Sequence, residues 1–112
     1  MHIYAIKNKT TCRLYIGIAD DIKLRFLDHV SRLRRGVHKV PLFQEDFDKY
    51  GLSDFELYDL GSGSWFDEKY WQAFYQTNDP AHGYNYRDTH NRRRPIESFP
   101  VVENPLAGHY GL

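Results

Sequence analysis

Arg25 and His29 stand four residues apart in the run "IKLRFLDHVSRL", which puts both on one face of a helix, one turn from each other. The apolar residues of that run, Ile22, Phe26, Val30 and Leu33, form a single stripe at helical spacing. Arg25 flanks the stripe and His29 lies nearer still, so a cation and an imidazole are held at the margin of a buried face. A guanidinium so placed can reach across a neighbouring sheet surface while other side chains cover its stem. Tyr4 in "HIYAIKN" and Tyr15 in "RLYIGI" can add two phenols, because these runs read as paired strands. Glu68 is a candidate metal ligand. Trp71 and Tyr75 follow it at helical spacing, and a carboxylate beside apolar rings suits a hard cation such as Mg²⁺, which needs few protein oxygens and keeps its waters. Each group also has a structural reading. Arg25 can be a snorkelling surface cation, the phenols can simply satisfy their hydroxyls, and Glu68 with Asp67 can complement a helix N-terminus.

These residues depend on short, clearly punctuated elements. "HIYAIKN" and "RLYIGI", joined by the polar "KNKTTC", predict a β-hairpin. Asp20 and Asp21 offer caps for a first helix that runs to about Arg35 and stops at Gly36. Pro41 suits the first turn of a second helix, which carries Leu42, Phe43, Phe47 and Tyr50 and ends at Gly51. "DFELYDL" is best read as a third strand. Ser64 with Asp67 resembles a capping box for a third helix through about Thr77. That helix has aromatics almost all round, which predicts cover on more than one side. From Arg87 onward the composition turns to Arg, Asn, Pro and Gly, and residues 87–112 are expected to be a basic tail with little structure of their own. The order β-β-α-α-β-α predicts a small α+β domain, with a three-stranded antiparallel sheet flanked by helices.

The 112 residues suit one domain, and 41% apolar with 16% aromatic content favours a packed core over disorder. A lone cysteine, Cys12, excludes an intramolecular disulfide framework and a CxxC zinc site. No apolar run approaches the about 18 residues that a membrane span needs, so the expected setting is soluble and cytoplasmic. Net charge is zero, yet the charges are segregated. Residues 23–39 hold six cations against one anion, a net +5, whereas residues 44–69 hold eight anions against two cations, a net −6. Residues 87–94 hold four arginines against one aspartate, a net +3. Separated blocks of this kind fit a basic face for a polyanion, and equally an ordinary solvated helix.

Order and spacing tie these pieces together. "HIYAIKN", then "LYIG", then Arg25 ten residues after Tyr15, resembles the GIY-YIG endonuclease superfamily. The resemblance continues through "LRFLDH", "RRGVHKVPLFQEDFDKYG", "FELYDL", "DEKYWQAF" and "GYN", covering about residues 2–86. It is strongest toward the nuclease module of phage-intron homing endonucleases. The first tripeptide reads His2-Ile3-Tyr4, without the family's leading glycine, and this departure removes no reacting group. Homing relatives carry a long linker and a separate DNA-binding domain after the module, where this chain has its Arg-rich tail.

The resemblance implies a nuclease domain over residues 1–86 that hydrolyses DNA phosphodiesters with Mg²⁺ or Mn²⁺. Tyr4, Tyr15, Arg25, His29, His38, Glu68 and Asn85 would form its single site, with Glu68 as the metal ligand. Lys23, Arg32, Arg34, Arg35, Lys39, Arg92, Arg93 and Arg94 would grip the flanking DNA backbone. Double-stranded DNA is the expected partner, with branched or nicked forms open, and a double-strand break would call for a second copy. The alternative is a catalytically inactive DNA-binding module that retains the fold.

Overall fold

The first strand, β1 (His2–Asn8), is buried on both faces almost throughout, which explains why it reads as a continuous apolar run. The computed structural model describes residues 1–85 and the short strand Gly108–Tyr110. β1 pairs antiparallel with β2 (Leu14–Ala19) on one side and with β3 (Phe55–Ser62) on the other. Helices α1 (Ile22–Arg34) and α2 (Pro41–Tyr50) lie between β2 and β3 in the chain, and α3 (Trp65–Tyr75) follows β3. This is the expected three-stranded antiparallel α+β arrangement in the expected order.

Alternation on the strands assigns the two faces. Tyr4, Ile6, Ala19, Phe55 and Leu57 point to one side, where Phe26, Val30 and Leu33 of α1 and Phe43 of α2 pack on them. Ile3, Ala5, Leu14, Ile16 and Leu60 point to the other, where Trp71 and Tyr75 of α3 pack. Local signals set the helix ends. The Asp21 carboxylate accepts from the N–H groups of Lys23 and Leu24 at the start of α1. Ser64 and Asp67 form the reciprocal capping box of α3, and Gly51, with φ 84°, terminates α2.

Among the described residues α3 is covered on one side: Gln72 is its one buried residue, and Trp65, Phe66 and Tyr70 are exposed. The aromatic ring of this helix therefore divides into a sheet-facing half and a solvent-facing half. β4 (Gly108–Tyr110) pairs antiparallel with β3 and extends the sheet to the order β2-β1-β3-β4. A short apolar-poor strand on an edge leaves no hydrophobic alternation by which sequence could reveal it.

The opposite edge, on β2, is occupied as well. Residues 82–85 run beside it, with Leu14 N–H donating to the His82 carbonyl at 3.2 Å and Tyr84 N–H donating to the Leu14 carbonyl at 2.9 Å. Gly83 permits this approach, since a Cβ there would overlap Thr77 and crowd the Leu14 carbonyl. No helix among the described residues is long and apolar enough to cross a membrane.

Candidate active site

Tyr4 and Gly17 are directly opposed on β1 and β2. The Tyr4 ring lies across the neighbouring strand, where a Cβ on residue 17 would stand 2.5 Å from the phenol oxygen. Glycine at that position is thus what lets the phenol lie flat over β2. Tyr15, two residues before it on the same face, stacks beside Tyr4 with ring centroids 6.3 Å apart. Burial raises the pKa of both phenols, and Glu68 adds to the rise, while the positive charge of Arg25 opposes it. At neutral pH both are neutral phenols.

A chain of hydrogen bonds leads away from Tyr4. Its oxygen is 2.9 Å from His29 Nε2, and His29 Nδ1 is 2.9 Å from His38 Nε2. α1 supplies His29 from its buried face. His38 comes from the connection to α2, which Gln44 pins by accepting from the His38 N–H at 3.1 Å and donating to the Leu33 carbonyl at 2.9 Å. Phe43 closes the cluster against Tyr15, His29 and His38. Burial, reinforced by His38, Arg25, Arg32 and Lys39, lowers the His29 pKa to about 3. Burial with Arg32 and Lys39 lowers that of His38 to about 4. Both rings are therefore neutral near pH 7.

Arg25 remains at the rim. It is exposed, its ion pair with Asp28 is 3.7 Å long and shared with Arg32 at 3.4 Å, and its charge also acts on the Tyr4 and Tyr15 phenols, so it stands where an incoming anion would meet it. Arg32 and Lys39 act on the histidines through charge, whereas Lys23, Arg34 and Arg35 are exposed along α1 and at its end. Arg92, Arg93 and Arg94 lie outside the described residues. Glu68 is half-buried near the start of α3, with its charge felt by both tyrosines, and burial raises its own pKa. Asn85 works from the segment that runs beside β2. Its side chain accepts from Ile16 N–H at 2.8 Å and donates to the Ile16 carbonyl at 3.0 Å, completing the edge of β2 beside Tyr15.

Sequence reasoning did not single out several supporting groups. Gln72 donates to the Ile16 carbonyl at 3.1 Å and reaches Glu68 at 3.5 Å, linking the carboxylate to the strand that bears Tyr15. Asp46 accepts from Tyr84 at 2.7 Å and from Arg13 at 2.8 Å, and Tyr84 stacks on Phe43 at 4.4 Å. This buried network ties residues 82–85 to α2 and so to the back of the histidine cluster. A polar residue on a helix face carries no sequence mark of such use, since its partners come from distant strands.

The GIY-YIG catalytic domain model matches residues 1–85. The chain belongs to the GIY-YIG family. Two solved structures are similar to this GIY-YIG domain. One, a glutamate-to-alanine mutant of the catalytic domain of intron endonuclease I-TevI, shares 28% identity with a TM-score of 0.69, covering 80% of this chain and 97% of its own. The other, the catalytic domain of homing endonuclease I-TevI, shares 28% identity with a TM-score of 0.67, covering 79% of this chain and 100% of its own. No curated protein sequence matches the chain. Membership makes this GIY-YIG domain a nuclease domain, with nucleic acid as its substrate class.

Proposed function

We propose that this GIY-YIG domain is a divalent-metal-dependent endonuclease that hydrolyses DNA phosphodiester bonds at one site. The observation that carries this reading is the convergence of the Tyr4–His29–His38 chain and Tyr15 with Arg25 and Glu68. That set combines hydrogen-bonding phenols, an exposed cation and a carboxylate around one end of the hairpin.

A metal fits the donor set. Among the described residues no three His, Cys, Asp or Glu cluster to form a closed cage. Glu68 is instead a partly desolvated carboxylate, its pKa raised by burial, a rise that the Lys69 charge opposes. A hard cation that keeps most of its waters suits such a site. When bound by Glu68, Mg²⁺ or Mn²⁺ supplies Lewis-acid stabilisation of phosphoryl and leaving-oxygen charge.

The remaining work falls to the chain. Arg25 swings from Asp28 to the scissile phosphate and offers planar N–H donors to the charge that grows in the transition state. Tyr4 orients the attacking water, or takes its proton while passing its own O–H proton to a phosphate oxygen, and Tyr15 hydrogen-bonds a phosphate oxygen. His29 and His38 hold Tyr4 from behind. Asn85 keeps the β2 edge in register so that Tyr15 stays aimed. Lys23, Arg32, Arg34, Arg35 and Lys39 contact the flanking backbone, giving salt-sensitive affinity with little base readout. In this reading residues 1–86 are the catalytic unit, and the tail from 87 to 112, with Arg92, Arg93 and Arg94, is an accessory grip. One site cuts one strand, so a double-strand break requires a second copy or a second encounter.

Incubation of supercoiled plasmid with the full chain and Mg²⁺ or Mn²⁺ tests the proposal. Wild-type protein should nick the plasmid, and Glu68→Ala and Arg25→Ala should each slow nicking by at least about 100-fold. Equal cutting by all three would overturn it, and DNA retention without cutting under any metal would favour the inactive binding module.

A further inference from the structure

We infer that the backbone N–H of Val40 sets the direction of the whole Tyr4–His29–His38 chain, so that His29 donates to Tyr4 and cannot take the Tyr4 proton. The catalytic consequence rests on the endonuclease reading above, whereas the polarity itself does not.

The inference starts from the one group in the chain with no choice of role. An amide N–H only donates, and that of Val40 points at His38 Nδ1 from 3.1 Å. His38 Nδ1 must therefore be the unprotonated nitrogen. In a neutral imidazole the proton then sits on Nε2, which faces His29 Nδ1 at 2.9 Å. His29 Nδ1 thus accepts, which leaves the His29 proton on Nε2, directed at the Tyr4 oxygen 2.9 Å away. One amide fixes two tautomers.

The reverse polarity fails at its last link. If Tyr4 donated to His29 Nε2, His29 Nδ1 would carry the proton and His38 Nε2 would accept. His38 Nδ1–H would then face the Val40 N–H, two donors with no acceptor between them. Doubly protonated His38 meets the same conflict, in keeping with its lowered pKa. The amide cannot turn aside. Val40 caps α2 in an extended conformation (φ −102°, ψ 106°), held between Pro41 and the Gln44 clamp on His38. It is also the N-terminal amide of α2, which has no acceptor within its own helix, so His38 Nδ1 serves both ends.

Tyr4 consequently receives a hydrogen bond from His29 behind it and keeps its own O–H for an acceptor on the substrate side. Any proton it yields goes to water or to a phosphate oxygen, and none travels inward through the histidines. His29 and His38 are a hydrogen-bond prop that holds the neutral phenol in the resting protein and stabilises the charge that grows on the Tyr4 oxygen if its proton leaves. They are positioning residues for that phenol, and the Val40 N–H positions them.

Long-range proton–nitrogen NMR correlation on the ¹⁵N-labelled full chain at neutral pH reads this directly. Both His29 and His38 should show a proton-bearing Nε2 and a bare Nδ1. A proton on Nδ1 of either ring overturns the proposal. Val40→Ala, which keeps the N–H, should leave all four signals in place. Val40→Pro deletes the N–H and should shift them toward a mixture of tautomers. A folded Val40→Pro protein with the wild-type pattern would show that the amide is not the cause. Should Val40→Pro not fold, the wild-type and Val40→Ala spectra still decide the polarity. The expected spectrum in a protein that cannot nick plasmid would retain the polarity and reject the endonuclease reading.

Discussion

Gly17 shows how much of the site depends on a missing atom. The Tyr4 phenol occupies the space that any side chain at residue 17 would need, with 2.5 Å between its oxygen and an added Cβ. Gly17→Ala must push the ring off β2 or push the strands apart. Overpacking of this kind costs about 1–3 kcal/mol, and it also displaces the oxygen from His29 Nε2. Urea unfolding should register the lost stability, and the plasmid assay should show a fall in nicking larger than that stability loss explains. An alanine variant with wild-type activity would mean that the position of Tyr4 is not critical. At this scale the residue types were legible in the chain, including Arg25 at the margin of its stripe and Glu68 among aromatics. Their hydrogen-bond roles were not, because the roles of His29 and His38 depend on a backbone amide at Val40 that no side-chain pattern marks.

At the scale of elements, the caps were the most readable features. Asp21 and the Ser64–Asp67 box act where the sequence placed them, since a cap needs only residues within one turn. The box also bears on the site, because the Ser64 carbonyl accepts from the Glu68 N–H at 3.0 Å in the first turn of α3. Ser64→Ala should lower stability by about 1 kcal/mol while leaving the Glu68 backbone bond intact. Thermal unfolding should show the drop and the plasmid assay a reduction of only a few-fold. A loss as deep as that of Glu68→Ala would show that the cap is needed to aim the carboxylate. The cover of α3 is a different matter, since the described residues bury it on one side alone. Aromatic rings on every side of a helix say how much surface could be buried, and nothing about how many neighbours the fold supplies to bury it.

For the whole molecule, the buried histidine pair couples the site to global stability. His29 and His38 have pKa values near 3 and 4 when folded, against 6.5 when free. Between these limits the unfolded chain binds protons that the folded chain refuses, so stability falls as pH drops below about 6.5. The slope is up to about 1.4 kcal/mol per pH unit for each histidine. It flattens once the folded rings protonate, near pH 4 for His38 and pH 3 for His29. Urea midpoints taken from about pH 7 down to about pH 4.5 should trace this fall, and His29→Gln should make it shallower. An identical slope in both proteins would assign the effect to other groups. The seven side chains proposed for the site come from the hairpin, α1, the loop before α2, α3 and the β2-edge segment, so the intact fold is what assembles them.

The sequence alone determined the element order through α3, the helix caps and the chemical inventory, because each arises from neighbours within a turn or a strand. The resemblance that joined Tyr4 to Asn85 used order and spacing, which also survive in one dimension. Only the tertiary structure decided that Tyr4 opposes Gly17, that Asn85 completes the β2 edge at Ile16, and that β4 extends the far side of the sheet. It alone set the direction of the histidine chain. Strand register and hydrogen-bond polarity are relations between groups far apart in the chain, and they exist only once the backbone has brought a particular donor to face a particular acceptor.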